Sequence, residues 1–211
     1  GGNMGRLYDV LYDHQDTVRT VLVRHESLAS VMAEVYGRLT GKPGVAIGQG
    51  IFMLANGLLG TLEAHFGSSP MLLLTDLSDV APFSQHAPYQ SGTGDYGSAD
   101  TKQTLSGVTK YTTMAHDPAQ AVHATQLAIK HALSGERGPV SVIYHSACFA
   151  GTVDPERRPT LYPTRHYLPT KSQGDGASVE AAARALLAAT RPVIIAGNGV
   201  RIAQAYPELV Q

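Results

Sequence analysis

The stretch TVRTVLVRHESLASVMAEVYGRLTGKPGVAI, residues 17–47, reads as a strand, a helix and a second strand in succession, and its reading decides the fold class. Thr17–Val23 is rich in β-branched residues and reads as a strand. Glu26–Leu39 repeats apolar residues at helical spacing, with Leu28, Val31, Met32, Val35 and Leu39 on one face that is expected to turn toward a core. Gly41-Lys42-Pro43 ends the helix, because glycine suits the C-terminal cap and proline cannot continue the ladder. Gly44–Ile47 is the next strand. Strands joined through a helix lie parallel in one sheet.

The same alternation continues outward. Met53–Phe66 reads as one helix, and Pro70–Thr75 as a strand without alternation, as expected when both sheet faces are covered. From Asp76 to Asp100 periodicity stops, and a loop of that length is usually functional. A strand around Val108–Met114, a helix over Pro118–Leu133 and a strand over Val140–Tyr144 follow. The expected fold class is therefore α/β, an open, mostly parallel sheet with helices on both faces. Residues 151–176 carry Pro155, Pro159, Pro163 and Pro169 without periodicity and read as an interdomain linker. A helix over Ala177–Ala189, with Ser178 as N-cap, and a strand over Val193–Ala196 read as the opening of a second, Rossmann-like α/β domain. The expected division is a domain at 1–150, a linker at 151–176 and an incomplete domain at 177–211.

Composition narrows the function classes. A chain of 211 residues, 43% hydrophobic, is long enough to bury a sizeable core. Sixteen Lys+Arg against seventeen Asp+Glu give a net charge of −1, so no overall field favours nucleic acid or an anionic membrane. The single cysteine, Cys148, cannot form an intrachain disulfide and suits a reducing compartment, and no apolar run approaches the roughly 20 residues of a membrane span. A cytoplasmic protein without nucleic-acid or membrane partners is the expectation. The nine histidines show no zinc-ligand spacing, so no metal site built by this chain is expected.

His25-Glu26 falls where a strand ends and a helix begins, in the crevice where open α/β sheets bind ligands. By placement, Glu26 is either a first-turn acid favoured by the helix dipole or a ligand-binding carboxylate. Gly48-Gln49-Gly50 is either an ordinary strand-to-helix turn or a place where backbone approaches a ligand. His86 and Gln90, in Gln85–Asp95, are either solvated loop residues or a proton carrier and an active-site polar group. His65, near the end of the second helix, reads as a packing histidine rather than a crevice residue.

The whole pattern weighs between these readings. Arg24-His25-Glu26 is followed by Tyr36-Gly37-Arg38-Leu39-Thr40-Gly41-Lys42-Pro43-Gly44-Val45. This resembles the pyrimidine-binding domain of thiamine diphosphate enzymes of the acetolactate synthase and 2-oxo acid decarboxylase type, whose pattern is R-H-E and then Y-A-R-x-T-G-K-P-G-V. Gly37 replaces the alanine. Agreement extends through Gly48-Gln49-Gly50, Asn56-Gly57-Leu58, Ser68-Ser69-Pro70, Val108-Thr109-Lys110 and Gly138-Pro139-Val140, and back to Gly1-Gly2-Asn3 and Leu7–Leu11.

The resemblance implies that Glu26 hydrogen-bonds N1′ of the cofactor's aminopyrimidine and favours its imino tautomer. It implies that Gly2, Gly48 and Gly50 lie against the cofactor, and that Gln90 and His86 are catalytic candidates. It further implies a 2-oxo acid substrate, a homodimer or homotetramer through this domain, and magnesium held with the diphosphate by a domain outside this chain. FAD is a further cofactor in some members. Ile51-Phe52-Met53 stands where the family commonly has A-T-N, which suggests a more apolar or narrower wall beside the reaction centre. Gly174-Asp175-Gly176 with Asn198 imitates the family's magnesium motif but lacks the preceding apolar strand, and is read as linker. Gly197-Asn198-Gly199 opens like a dinucleotide fingerprint, but Ile202 fills the third small-residue position. Two alternatives remain: a noncatalytic nucleotide-binding module using that turn, or the pyrimidine subunit of a two-chain decarboxylase.

Overall fold

A computed structural model describes residues 4–77, 92–94, 98–163 and 173–210. They fall into two compact units, Gly1–Leu168 and Pro169–Gln211. The first is built on a four-stranded parallel sheet of β1 (Gly44–Ile47), β2 (Met71–Leu77), β3 (Tyr111–Ala115) and β4 (Pro139–His145), in the order β1-β2-β4-β3. Register runs from Gly44 opposite Met71 to Ile47 opposite Leu74, and Leu77 lies opposite His145. The carboxyl ends of the strands therefore share one edge, where such sheets place their ligands.

Every residue of β2 is buried, because alternate side chains enter two different cores. On one face Leu72, Leu74, Val140, Val142 and Tyr144 pack against Ala124, Ala128 and Ala132 of α6 (Pro118–Leu133), Cys148 of α7 (Ala147–Ala150) and Leu7 and Tyr8 of α1 (Gly5–Asp13). On the other, Met71, Leu73, Leu77 and Ile143 pack against Ala33 of α2 (Glu26–Thr40), Met53 and Leu54 of α3 (Gly50–Asn56), Ala64 of α4 (Leu58–Phe66) and Leu105 of α5 (Thr101–Ser106). The α/β architecture with helices on both faces is as the sequence pattern predicts.

Several local expectations are corrected. Thr17–Val23 is not a strand: no described strand pairs with it, Leu22 is 100% exposed, and Thr17, Val18 and Thr20 donate instead to His14 and Gln15 of the preceding turn. The helix α2 is also turned the other way. Its buried residues are Ser30, Ala33, Glu34 and Gly37, while Leu28, Met32, Val35 and Leu39 are exposed. Small residues face inward because neighbouring backbone comes too close for anything larger. A Cβ at Gly37 would overlap the Pro70 carbonyl, one at Gly44 would overlap the Ala33 carbonyl, and one at Gly60 would overlap Ser30 backbone. Glu34 enters this layer because Arg38 Nε donates to it at 2.7 Å and Ser69 Oγ at 2.9 Å.

The single helix expected over Met53–Phe66 is two, beginning earlier at Gly50 and breaking at Gly57, whose N–H bonds Met53 O at 3.0 Å. The third strand starts later than expected because Val108 and Thr109 both bond back to Leu105 O as the turn after α5. Within 151–163, Gln126 of α6 donates to Thr160 O at 3.0 Å and accepts from Tyr162 N at 2.8 Å, so its carboxamide pins both residues.

The second unit comprises α8 (Gly176–Ala188), α9 (Asn198–Ala203) and α10 (Tyr206–Val210). Asp175, not Ser178, caps α8; its carboxylate accepts from Ser178 N at 2.9 Å and Oγ at 2.8 Å, which lowers its pKa. Val193–Ala196 forms no strand, for the same reason as Thr17–Val23: no described residue pairs with it, and Ile195 is 94% exposed.

Candidate functional site

The Gly48-Gln49-Gly50 turn follows β1 and is held by the end of β2. Gly48 N donates to Leu74 O at 3.2 Å, and Thr75 Oγ1 donates to Gly48 O at 3.1 Å. Gln49, at the N-cap of α3, makes no capping bond; Asp76 supplies one from β2, its Oδ1 accepting from Gly50 N at 2.8 Å. Backbone approach excludes a side chain at Gly50, and at Gly48 one would have to displace the Met53 side chain. A Cβ on Gly50 would lie 2.6 Å from Asp76 O, and one on Gly48 2.5 Å from Met53 Sδ and 3.4 Å from Glu26 Cγ.

Glu26 is the first residue of α2 and half-buried. His25 caps the helix, its Nδ1 accepting from Ser27 N at 3.3 Å and lying 2.6 Å from Ser27 Oγ. Thirty residues away in sequence, Asn56 Nδ2 donates to Glu26 Oε2 at 3.1 Å. Among the described residues nothing donates to Glu26 Oε1. Helix α2 is fixed against α4 by Gly60 N donating to Ser30 Oγ at 3.2 Å, so the carboxylate rests on a braced element. Tyr8 of α1 shares the neighbourhood: burial first, then the charges of Asp76 and Glu26, push its pKa up.

The arrangement is a carboxylate with one oxygen held and, among the described residues, no donor on the other, beside a turn with glycine on either side of Gln49, at the carboxyl edge of a parallel sheet. It suits a planar heterocycle that donates an N–H to that second oxygen and lays against bare backbone.

Residues 1–95 match the family described as "Thiamine pyrophosphate enzyme, N-terminal TPP binding domain". Residues 1–95 carry such a domain. Across its full length the chain is similar to a probable acetolactate synthase large subunit of Methanocaldococcus jannaschii, 29% identical over 214 residues that make up 34% of that protein. It is 30% identical over 209 residues to the acetolactate synthase isozyme 2 large subunit of Escherichia coli, covering 99% of this chain and 35% of that one. It is 28% identical over 194 residues to the sulfoacetaldehyde acetyltransferase of Alcaligenes xylosoxydans xylosoxydans, covering 92% of this chain and 30% of that one. The chain thus spans about a third of the length of these curated relatives.

Within this thiamine pyrophosphate enzyme domain, Glu26, Gly48 and Gly50 lie close together, whereas Gly2, His86 and Gln90 lie outside the described residues. His65 is exposed rather than packed in the core, its ring edge-on to exposed Phe66. Where the family has A-T-N, Met53 is fully buried in the core and Phe52 is exposed. Asn56, Asp76 and Tyr8 are the site residues that sequence reading did not single out. Asp76 had a signal, an acid closing the apolar run Met71–Leu77; Asn56 had only its place in a matched segment. No helix among the described residues is long and apolar enough to cross a membrane, and no three His, Cys, Asp or Glu side chains among them cluster as metal ligands.

Proposed function

We propose that this chain is the pyrimidine-binding part of a thiamine diphosphate-dependent enzyme that makes or breaks carbon-carbon bonds of 2-oxo acids, acetolactate synthase-like. The observation that carries the reading is the Glu26 carboxylate at the carboxyl edge of the sheet, with Oε2 held by Asn56 and no donor among the described residues on Oε1. These residues fit the cofactor: Oε1 would accept from N1′ of its aminopyrimidine, and the bare turn at Gly48 and Gly50 would let the ring lie against backbone. When bound, thiamine diphosphate supplies the carbon nucleophile and the electron sink that a side chain cannot. Glu26 holds and moves the proton at N1′, Gly48 and Gly50 admit the ring, and Asp76 keeps the turn in place.

Magnesium and the diphosphate would be held outside these residues, and a flavin, where present, would belong with the second unit. The exposed Leu28, Met32, Val35 and Leu39 of α2 and Leu59, Leu62 and Phe66 of α4 support a subunit interface on that side, since apolar patches of this kind mark protein contacts. A homodimer or homotetramer belongs to the proposal, as does the reducing cytoplasm that the buried Cys148 suits. The assignments of 151–176 as linker and 177–211 as the start of the central domain belong to the same proposal. At the Gly197 turn a Cβ on Gly197 or Gly199 would meet nothing within 4 Å, so the chain's own packing does not require glycine there.

Replacing Glu26 by Gln in the intact enzyme removes the group that shares the N1′ proton, and turnover should fall by about 10²–10⁴-fold, the usual contribution of a positioned acid-base group. Unchanged turnover defeats the assignment.

A further inference from the structure

The two oxygens of Glu26 are not equivalent, and the inequality has one source. A half-exposed carboxylate on the first residue of a helix is free to rotate unless a donor fixes it. Among the described residues that donor is Asn56 Nδ2, 3.1 Å from Oε2. Asn56 is itself well founded. It ends α3, a seven-residue helix tied at its start by Gly50 N to Asp76 Oδ1 at 2.8 Å and at its end by Gly57 N to Met53 O at 3.0 Å. Met53, between those ties, is fully buried. The donor therefore cannot follow the carboxylate if it swings; the carboxylate must come to the donor.

We propose that Asn56 is a positioning residue for the reaction: by holding Oε2 it presents Oε1, in a fixed plane, to the ring nitrogen of the cofactor. The inference rests on the pyrimidine-binding reading above. Its physical content is preorganisation, in which the orientation of the proton-sharing group is set before the ligand arrives. A hydrogen bond to a charged group is worth enough that its loss should cost roughly 10- to 100-fold in the step that uses that group.

The test uses the holoenzyme with Asn56→Ala and Asn56→Asp. The second is isosteric but replaces the donor by a carboxylate facing Glu26. In both, the near-ultraviolet circular dichroism of the bound imino tautomer, read per mole of bound cofactor on folded protein, should fall. The kcat should drop about 10- to 100-fold with KM for the 2-oxo acid unchanged, and the thermal midpoint of the apoprotein should hold in Asn56→Ala. A full tautomer signal in either folded variant overturns the proposal, as does failure of both to fold, which would make Asn56 a structural residue. Glu26→Gln separates the two levels. Signal lost there but kept in the Asn56 variants leaves the cofactor reading standing without this inference, whereas signal kept in Glu26→Gln removes the reading itself.

Discussion

Gly37→Ala is expected to destabilise the domain, although alanine is the residue that the resembling family carries at that position. Two effects oppose one another. Replacing a helix-interior glycine by alanine gains about 0.5–1 kcal/mol from backbone entropy. Against this, the new Cβ would overlap Pro70 O and lie 3.1 Å from Pro70 C and 3.4 Å from Pro70 N, all of them backbone atoms. Relief needs a withdrawal of about 1.3–1.9 Å to reach ordinary contact distance. Overpacking of this kind costs about 1–3 kcal/mol. The Pro70 carbonyl is also not free to move, since it accepts from Gly44 N at 3.2 Å, the first bond between β1 and β2. Losing that bond adds about 0.5–1.5 kcal/mol. The penalty outweighs the gain, and the net loss is about 0.5–4 kcal/mol, a fall in thermal midpoint of roughly 1–16 °C for a chain of this size. Urea unfolding followed by far-ultraviolet circular dichroism, with calorimetry on the same sample, measures both. A midpoint that is unchanged or raised would mean that propensity wins and that α2 does not run against Pro70.

Asp76→Ala should lower unfolding free energy by about 1–3 kcal/mol, because Gly50 N is left buried without an acceptor; Asp76→Asn, which keeps the oxygen, should recover most of it, and equal urea midpoints for the two variants would argue against the capping role. Burial pushes the Cys148 thiol up from 9.0 to about 11 and the Tyr144 hydroxyl from 10.0 to about 12. Between pH 9 and 12 the unfolded chain gives up these protons first, so stability is full below pH 9 and falls as pH rises through the folded values; a urea midpoint that stays flat or climbs over that range contradicts it. Cys148 Sγ also donates to Ala115 O at 3.2 Å, so alkylation at pH 8 should be slow in the native protein and fast in urea, and equal rates would refute its burial.

The elements that could be read from residues alone are those whose signal is local. Gly41 ends α2 with φ of 70°, as a C-terminal cap glycine should, and β2 is apolar throughout because both its faces are covered. Asp117 caps α6, with Pro118 in the first turn. The errors have a common cause. Thr17–Val23 and Val193–Ala196 have strand composition, but a strand exists only when another chain segment bonds to it. The large apolar face of α2 looked like a core face, yet Ser30, Ala33 and Gly37 face inward, since close backbone approach selects small residues whatever their hydrophobicity.

The candidate site divides along the same line. Arg24-His25-Glu26, the following tyrosine-to-valine run and Gly48-Gln49-Gly50 determined, without coordinates, the α/β class, the family resemblance and the carboxylate on which the chemistry would turn. Their meaning lies in ordered residue types along one chain, which is what sequence records. That Asn56 reaches Glu26, that Asp76 caps a helix from another strand, and that Tyr8 feels both charges were decided only when parallel strands brought their carboxyl ends to one edge. These contacts join residues 18 to 68 positions apart, and no local propensity specifies which side chain will meet which across a sheet.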